Sequence, residues 1–261
     1  MPWSIILLLS TMIILHQSVS GNCSEENDTI RITYTGNMGV VIESDSSSVW
    51  IDGLHRFYKT EYQQTPAGFI DSAKRHSGHF KSLQWLLFSH VHSDHFNASL
   101  TKEIAVANPE IKISGAGQVV DSLSGTHFTN AWNRNGKLNT DNEVVEIEAF
   151  NLKHTWPARH SHVQNLMFSV ILNGLRITHL GDAVNDDPAY QLSAFKDADV
   201  LVIPYWLLLN EEGRTLMKTS KAKKIIATHI EPNAKPDIAL RNGENQQVIL
   251  FDVPGEVVEV L

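Results

Sequence analysis

Apolar positions fall into short blocks along most of the chain, separated by glycine, asparagine and serine. Ile30 to Tyr34, Val40 to Glu43 and Val49 to Asp52 are rich in β-branched residues and punctuated by Gly36, Gly39 and Gly53, so they read as three short strands. A looser segment, residues 54–80, is expected to hold a helix near Ala67 to Arg75. Leu83 to Ser89 is a continuous apolar run, of the kind a central strand shows when both faces are covered. A helix should follow: Asn97 can cap it, Leu100, Ile104 and Ala107 recur at helical spacing, and Asn108-Pro109 ends it. Further strands are expected at Ile111 to Ser114, Val144 to Leu152, Leu166 to Leu172, Arg176 to Leu180, Val200 to Tyr205, Lys224 to Ala227, Val248 to Phe251 and Val257 to Leu261. Helices are expected near Pro188 to Lys196 and Glu212 to Lys221. Two strand-rich halves thus alternate with helices, with no Pro/Gly/Ser linker, repeat or low-complexity tract between them. Two facing sheets with helices outside would accommodate this order; periodicity alone leaves other α/β layouts open.

Composition narrows the picture. The 261 residues fit one large domain, expected over residues 29–261, and 42% hydrophobic with 19% charged residues is ordinary for a folded domain. The formal net charge of -8 offers no surplus to neutralise a phosphate backbone, so nucleic acid is not the expected partner. The single cysteine, Cys23, excludes an intramolecular disulfide. The apolar run Ile5 to Leu15 is too short to span a bilayer and matches a signal-peptide core, with Ser18-x-Ser20 as an acceptable cleavage site. Residues 1–20 are therefore expected to direct export, to the periplasm or the outside, leaving no stable membrane span after cleavage. Met1 to Ser4 lack the usual Lys or Arg, so an uncleaved membrane anchor stays open. Asn22, Asn27 and Asn97 begin glycosylation sequons, relevant only in a host that glycosylates exported proteins.

The strongest chemical signal is Ser89-His90-Val91-His92-Ser93-Asp94-His95, directly after the apolar run. His90 and His92 are two apart, so at a strand end they project to one side, and two neutral imidazoles there suit zinc. Asp94 and His95 add a carboxylate and a third imidazole in the turn that opens the next helix. Four ligand-type side chains in six residues exceed what one tetrahedral ion takes from a single segment, which points to two metals side by side.

His-x-His-x-Asp-His after a hydrophobic strand resembles the signature of the metallo-β-lactamase superfamily, and the resemblance runs through nearly the whole chain after the leader. It implies an α+β fold, a four-layer αββα sandwich with the metal site at one edge between the sheets. It also implies an early Asp at a strand end, matched by Asp52, and a further imidazole about sixty residues after the motif, matched by His154 with His160 and His162 as rivals. A bridging carboxylate in a strand-Gly-Asp element is matched by Asp182, and a last strand-end imidazole by His229. By that resemblance His90, His92 and His154 hold the first ion, Asp94, His95 and His229 the second, and Asp182 lies between them. Asp94 and Asp182 are also the residues expected to serve catalysis. His179 is given no metal role and is expected to pack or hydrogen-bond within its strand.

The implied cofactor is two Zn2+ per chain, with Mn2+ or Fe2+ also compatible with such ligands. The implied reaction is hydrolysis of a small ester, lactone, amide or phosphodiester, with a hydroxide shared by the two ions as nucleophile. Asp182 stands where true β-lactamases carry Ser or Cys, and His154-Thr155-Trp156-Pro157-Ala158-Arg159 resembles the lactonase and phospholipase-D-like branches. Trp132, Trp156, Tyr205 and Trp206 are candidates to shape an apolar pocket, and Arg159 to hold an anionic group, each against the plainer alternative of core or surface. Two other functions stay open: a metal-binding module without catalysis, and a nuclease of the same fold.

Overall fold

The structure, a computed structural model, describes residues 29–56, 58–123, 131–132, 136–138, 144–239, 241–242 and 244–260. The expected leader (residues 1–20), Cys23 and the sequons at Asn22 and Asn27 lie outside the described residues.

Fourteen strands are assigned among the described residues. They are β1 (Ile30–Gly36), β2 (Gly39–Glu43), β3 (Ser48–Ile51), β4 (Leu83–Phe88), β5 (Lys112–Ala116), β6 (Ala131–Trp132), β7 (Gly136–Leu138), β8 (Val145–Leu152), β9 (Asn165–Leu172), β10 (Leu175–His179), β11 (Val200–Pro204), β12 (Lys224–Thr228), β13 (Gln247–Leu250) and β14 (Val257–Val260). One sheet runs β14-β1-β2-β3-β4-β5-β6 and the other β13-β12-β11-β10-β9-β8-β7. Each is antiparallel on one side and parallel on the other; β3, β4, β5 and β6 run parallel in the first, β10 to β13 in the second.

The faces explain the stacking. In β11, Val200 and Val202 join the core between the sheets, while Leu201 and Ile203 join a second cluster with α5 (Ser193–Lys196) and α6 (Glu211–Met217). A strand covered on both sides needs the unbroken apolar run that the sequence shows. On the first sheet, α1 (Ala67–Lys74) and α2 (Ala98–Ala107) contribute Ile70, Ala73, Leu100 and Ile104 to the core. The result is the expected order of layers, helix, sheet, sheet, helix. Asn97 caps α2 as anticipated, accepting a hydrogen bond from Leu100 N at 3.0 Å.

Several boundaries differ from the sequence reading. The helix expected at Pro188 to Lys196 splits, because Leu192 is extended (φ -74, ψ 151) between a 3-10 turn, Pro188–Gln191, and α5. The strand from Val200 stops at Pro204, and Tyr205–Leu208 coil into another 3-10 turn. α6 ends at Met217, where the Thr219 and Ser220 hydroxyls donate back to Leu216 O and Met217 O and compete with the helix ladder. The short helices α3 (Gly117–Ser122) and α4 (Pro157–His160) and the strands β6 and β7 are additions to that reading.

Candidate metal centre

Five strands end at one edge of the sandwich, and the residues just past each end carry the candidate ligands. β3 leads to Asp52, β4 to His90 through His95, β8 to His154, β10 to Asp182 and β12 to His229. Carboxyl ends of strands are where open α/β sheets habitually bind ligands, because the chain leaves its ladder there and side chains meet in the gap. All seven residues singled out in the sequence arrive at this edge. Asp182 is central: its Oδ2 lies 3.8 Å from His90 Nε2 and 3.6 Å from His154 Nε2, and its Oδ1 lies 3.2 Å from His95 Nε2 and 3.6 Å from His229 Nε2. Asp94 Oδ2 lies 3.5 Å from His95 Nε2 and 3.3 Å from His229 Nε2. The His92 ring stands 4.7 Å from that of His90 and 4.9 Å from that of His154. The ligand atoms fall into two sets, His90, His92, His154 and Asp182, and Asp94, His95 and His229, each within 4.8 Å of one another. Asp52, His90 and His95 also lie together, but the Asp52 oxygens are engaged behind the rings.

Hydrogen bonds set the tautomers. Ser89 Oγ donates to Asp52 Oδ2 at 2.5 Å, so it accepts from His90 Nδ1 at 2.9 Å. His95 Nδ1 donates to Asp52 Oδ2 at 3.0 Å, and His154 Nδ1 to Thr155 O at 2.8 Å. In each ring Nδ1 is thereby committed outward, which turns Nε2 into the cluster. Asn37 Nδ2 donates to Asp94 Oδ2 at 3.0 Å, and Asn165 Oδ1 accepts from Asp182 N at 3.2 Å. Asn37, Ser89 and Asn165 are supporting residues that the sequence reading did not single out. Each looks like a turn or strand residue in one dimension.

The inner atoms have no partner. Nε2 of His90, His95, His154 and His229 and Oδ1 of Asp182 are buried without a hydrogen bond among the described residues. An orphaned buried polar atom costs about 1–3 kcal/mol, and five around one point are accounted for by cations that take their lone pairs. The donor chemistry, imidazole with carboxylate, fits zinc. Burial presses His90 well below the ordinary imidazole value and His92 to about 4, with neighbouring imidazoles adding to the effect. His95 goes the other way: burial opposes, but Asp182 and Asp94 hold it well above that value. For both carboxylates burial pulls upward, and His95 and His229 outweigh it, so they stay below the usual range. Two buried carboxylates thus call for positive charge between them.

Backbone strain is concentrated at the same edge. Asn37, Asp52, Trp156 and His229 all have positive φ, 49°, 52°, 49° and 63°. Such a conformation costs a non-glycine residue about 1–3 kcal/mol and tends to accompany functional sites. His229 is held in it by its own N–H, which donates to Asn37 O at 2.7 Å across the two sheets.

The cluster opens into a cavity of about 830 Å3. Trp156, Arg159, Tyr205 and Trp206 line it, as do Tyr58, Lys59 and Tyr62 from the loop after β3. Tyr62 sits edge-on to His229 at 5.6 Å, and its phenol is pushed up to about 12 by burial and by Asp94 and Asp182. Of the rivals to His154, His160 packs on the His92 and His154 rings at 4.9 and 4.6 Å, while His162 is exposed outside the cavity. Trp132 lies in β6, but its side chain is outside the described residues. His179 takes no part in the cluster: it accepts from Gly181 N at 3.2 Å and donates to Met38 O at 2.9 Å, bridging the sheets rather than bonding only within its strand.

Residues 31–233 match the family described as "Beta-lactamase superfamily domain". A metallo hydrolase from the hyperthermophilic archaeon Ignicoccus hospitalis superposes with a TM-score of 0.64 at 18% identity, over 89% of this chain and 99% of that one. The metallo-beta-lactamase fold protein YhfI from Bacillus subtilis gives 0.60 at 14%, over 89% and 100%. The short form of human tRNase Z gives 0.56 at 17%, over 87% and 98%. Such identities carry the fold and leave the activity to be argued from the site. No protein of curated function matches the chain in sequence.

Proposed function

The chain belongs to the β-lactamase superfamily and has the metallo-β-lactamase fold, and from that premise we propose that it is a binuclear zinc hydrolase of small esters, lactones, amides or phosphodiesters. One observation carries the reading: four imidazole nitrogens and a carboxylate oxygen, supplied by four separate segments, meet buried and unpartnered at the floor of an open cavity. His90, His92 and His154 would hold one ion, Asp94, His95 and His229 the other, and Asp182 both. When bound, two such ions activate a water at neutral pH and polarise the scissile oxygen.

The protein's own groups do the rest. Asp52 fixes the orientation of His95 directly and of His90 through Ser89. Asp94 and Asp182, held below the usual carboxylate range, would offset the positive charge of the ions. The Tyr62 phenol keeps its proton and offers a neutral donor to the cavity beside His229. Arg159 and Lys59 bring positive charge to the cavity wall against Glu61 and Glu231 in the same lining, and the two ions, when bound, would tip the balance toward an anionic substrate. The proposal extends to export through residues 1–20; N-terminal sequencing of protein from its native compartment tests that part.

Full-length protein loaded with zinc should hydrolyse at least one member of a panel holding a lactone, an aryl ester, an amide and bis(p-nitrophenyl) phosphate. The activity should vanish with a chelator and return with zinc. A protein that holds two zinc ions yet cleaves nothing in the panel would instead be a metal-binding module.

A further inference from the structure

The cavity wall contains a second arrangement, built from rings rather than ligands. On one flank Trp156 stacks on His160, with centroids 6.3 Å apart and planes 27° apart, and His160 packs on the first-ion ligands His92 and His154. On the other flank Tyr58 stacks on Tyr62 at 5.7 Å and 22°, and Tyr62 packs edge-on to the second-ion ligand His229. Each flank is thus a short stair of flat rings from solvent to one half of the cluster. Each also carries a cation, Arg159 near Trp156 and Lys59 beside Tyr58.

The two outer rings are not equivalent. Tyr58 is 45% exposed and already has the Lys59 ammonium 5.1 Å from its centroid as well as Tyr62 as a neighbour. Trp156 is 68% exposed and has one ring neighbour among the described residues, His160. Its φ of 49° is rare for a bulky residue, and Pro157 starts α4 directly after it, so the backbone that carries the indole is strained and stiff. An exposed indole and a guanidinium on the same wall of the cavity, three residues apart, suit a flat π-system next to negative charge.

We propose that the substrate carries a planar unsaturated ring beside an anionic scissile group, with the ring stacked on Trp156 and the charge directed to Arg159 and the metal cluster. The inference rests on reading the cavity as the hydrolytic site, and it names the substrate class for that site. Aliphatic burial alone would not distinguish a flat ring from a saturated ring of similar size; stacking would.

The test is binding, read by titration calorimetry, of phenylphosphonate, cyclohexylphosphonate and methylphosphonate to the full chain, with and without zinc. Stacking on an aromatic side chain is commonly worth about five- to a hundredfold in affinity. Phenylphosphonate should bind about tenfold tighter than cyclohexylphosphonate. Trp156→Ala should bring the two together, and Trp156→Phe should keep much of the difference. Equal affinities for the two compounds in the wild-type protein, or a preference unchanged by Trp156→Ala, would overturn the inference. A chain that takes up no zinc yet prefers the phenyl compound through Trp156 would support the ring site while refuting the metal reading. Two bound zinc ions with no ring preference would do the reverse.

Discussion

Asp52 is not among the seven ligands, yet three hydrogen bonds converge on its carboxylate, from Ser89 N, Ser89 Oγ and His95 Nδ1. It holds the tautomer of one ligand ring directly and of a second through a hydroxyl. Asn in its place keeps the shape but removes the charge and one acceptor, so the Ser89 and His95 protons can no longer all be satisfied. Supporting residues of this kind typically contribute 10–100-fold to metal affinity. Asp52→Asn should therefore weaken zinc binding by roughly that factor, measured by competition with a chromophoric chelator; unchanged affinity would mean that the His95 ring is fixed by packing alone. In the sequence, Asp52-Gly53 is indistinguishable from an ordinary turn, which is why its partners become visible only once β3 and β4 lie side by side.

At the scale of elements, the site depends on how strands end. Gly181 follows β10 with φ +56, and a Cβ there would lie 2.3 Å from Asn165 Oδ1 and 2.8 Å from Ser89 Cβ. Gly174, in the Asn173-Gly174 turn between β9 and β10, has φ +80 but open space around it. The pair separates strain from collision. Gly174→Ala should cost about 1–2 kcal/mol of left-handed strain and leave metal content untouched. Gly181→Ala should cost more, because it adds a clash to about 1–3 kcal/mol of strain, and it should lower zinc content by displacing Asp182. Thermal unfolding together with metal analysis reads both; equal losses would mean that the Asn165 and Ser89 contacts give way freely. The strand ends were also where the sequence was most informative. His90 to His95 are local, and His154, Asp182 and His229 each close an apolar run, so a one-dimensional reading reaches them. The rings of Tyr58 and Tyr62 escaped it because they sit on a loop without periodicity, and α4 because four residues carry no repeat. The broken helix at Leu192 was hidden for a different reason: Asp187 caps the first turn and apolar residues continue on both sides of the break.

Across the whole molecule, the cluster ties the two sheets together. β3 and β4 of one sheet and β8, β10 and β12 of the other all lead into it, and the His229 N–H and His179 ring cross the same gap to Asn37 O and Met38 O. Metal that binds only the folded chain stabilises it by mass action, by about 4 kcal/mol at a thousandfold excess over Kd. For a domain of this size that corresponds to a fall in Tm on the order of 10 °C when a chelator strips the ions. A Tm that does not respond would argue that the buried imidazoles and carboxylates compensate one another unaided. The alternation of strand-rich blocks and helices accommodated the layered α+β order, and the resemblance carried by His90 to His95 selected it; neither gave the return of β14 to pair with β1, since an antiparallel partner more than two hundred residues away leaves no local mark.

The central claim is that one carboxylate, Asp182, serves two ions. Its most direct test is elemental analysis of zinc in the purified full chain beside Asp182→Ala, with circular dichroism to show that both are folded. The account predicts about two zinc ions per chain in the first and clearly fewer in the second. One ion or none in both after reconstitution with zinc, or two in both, would contradict it.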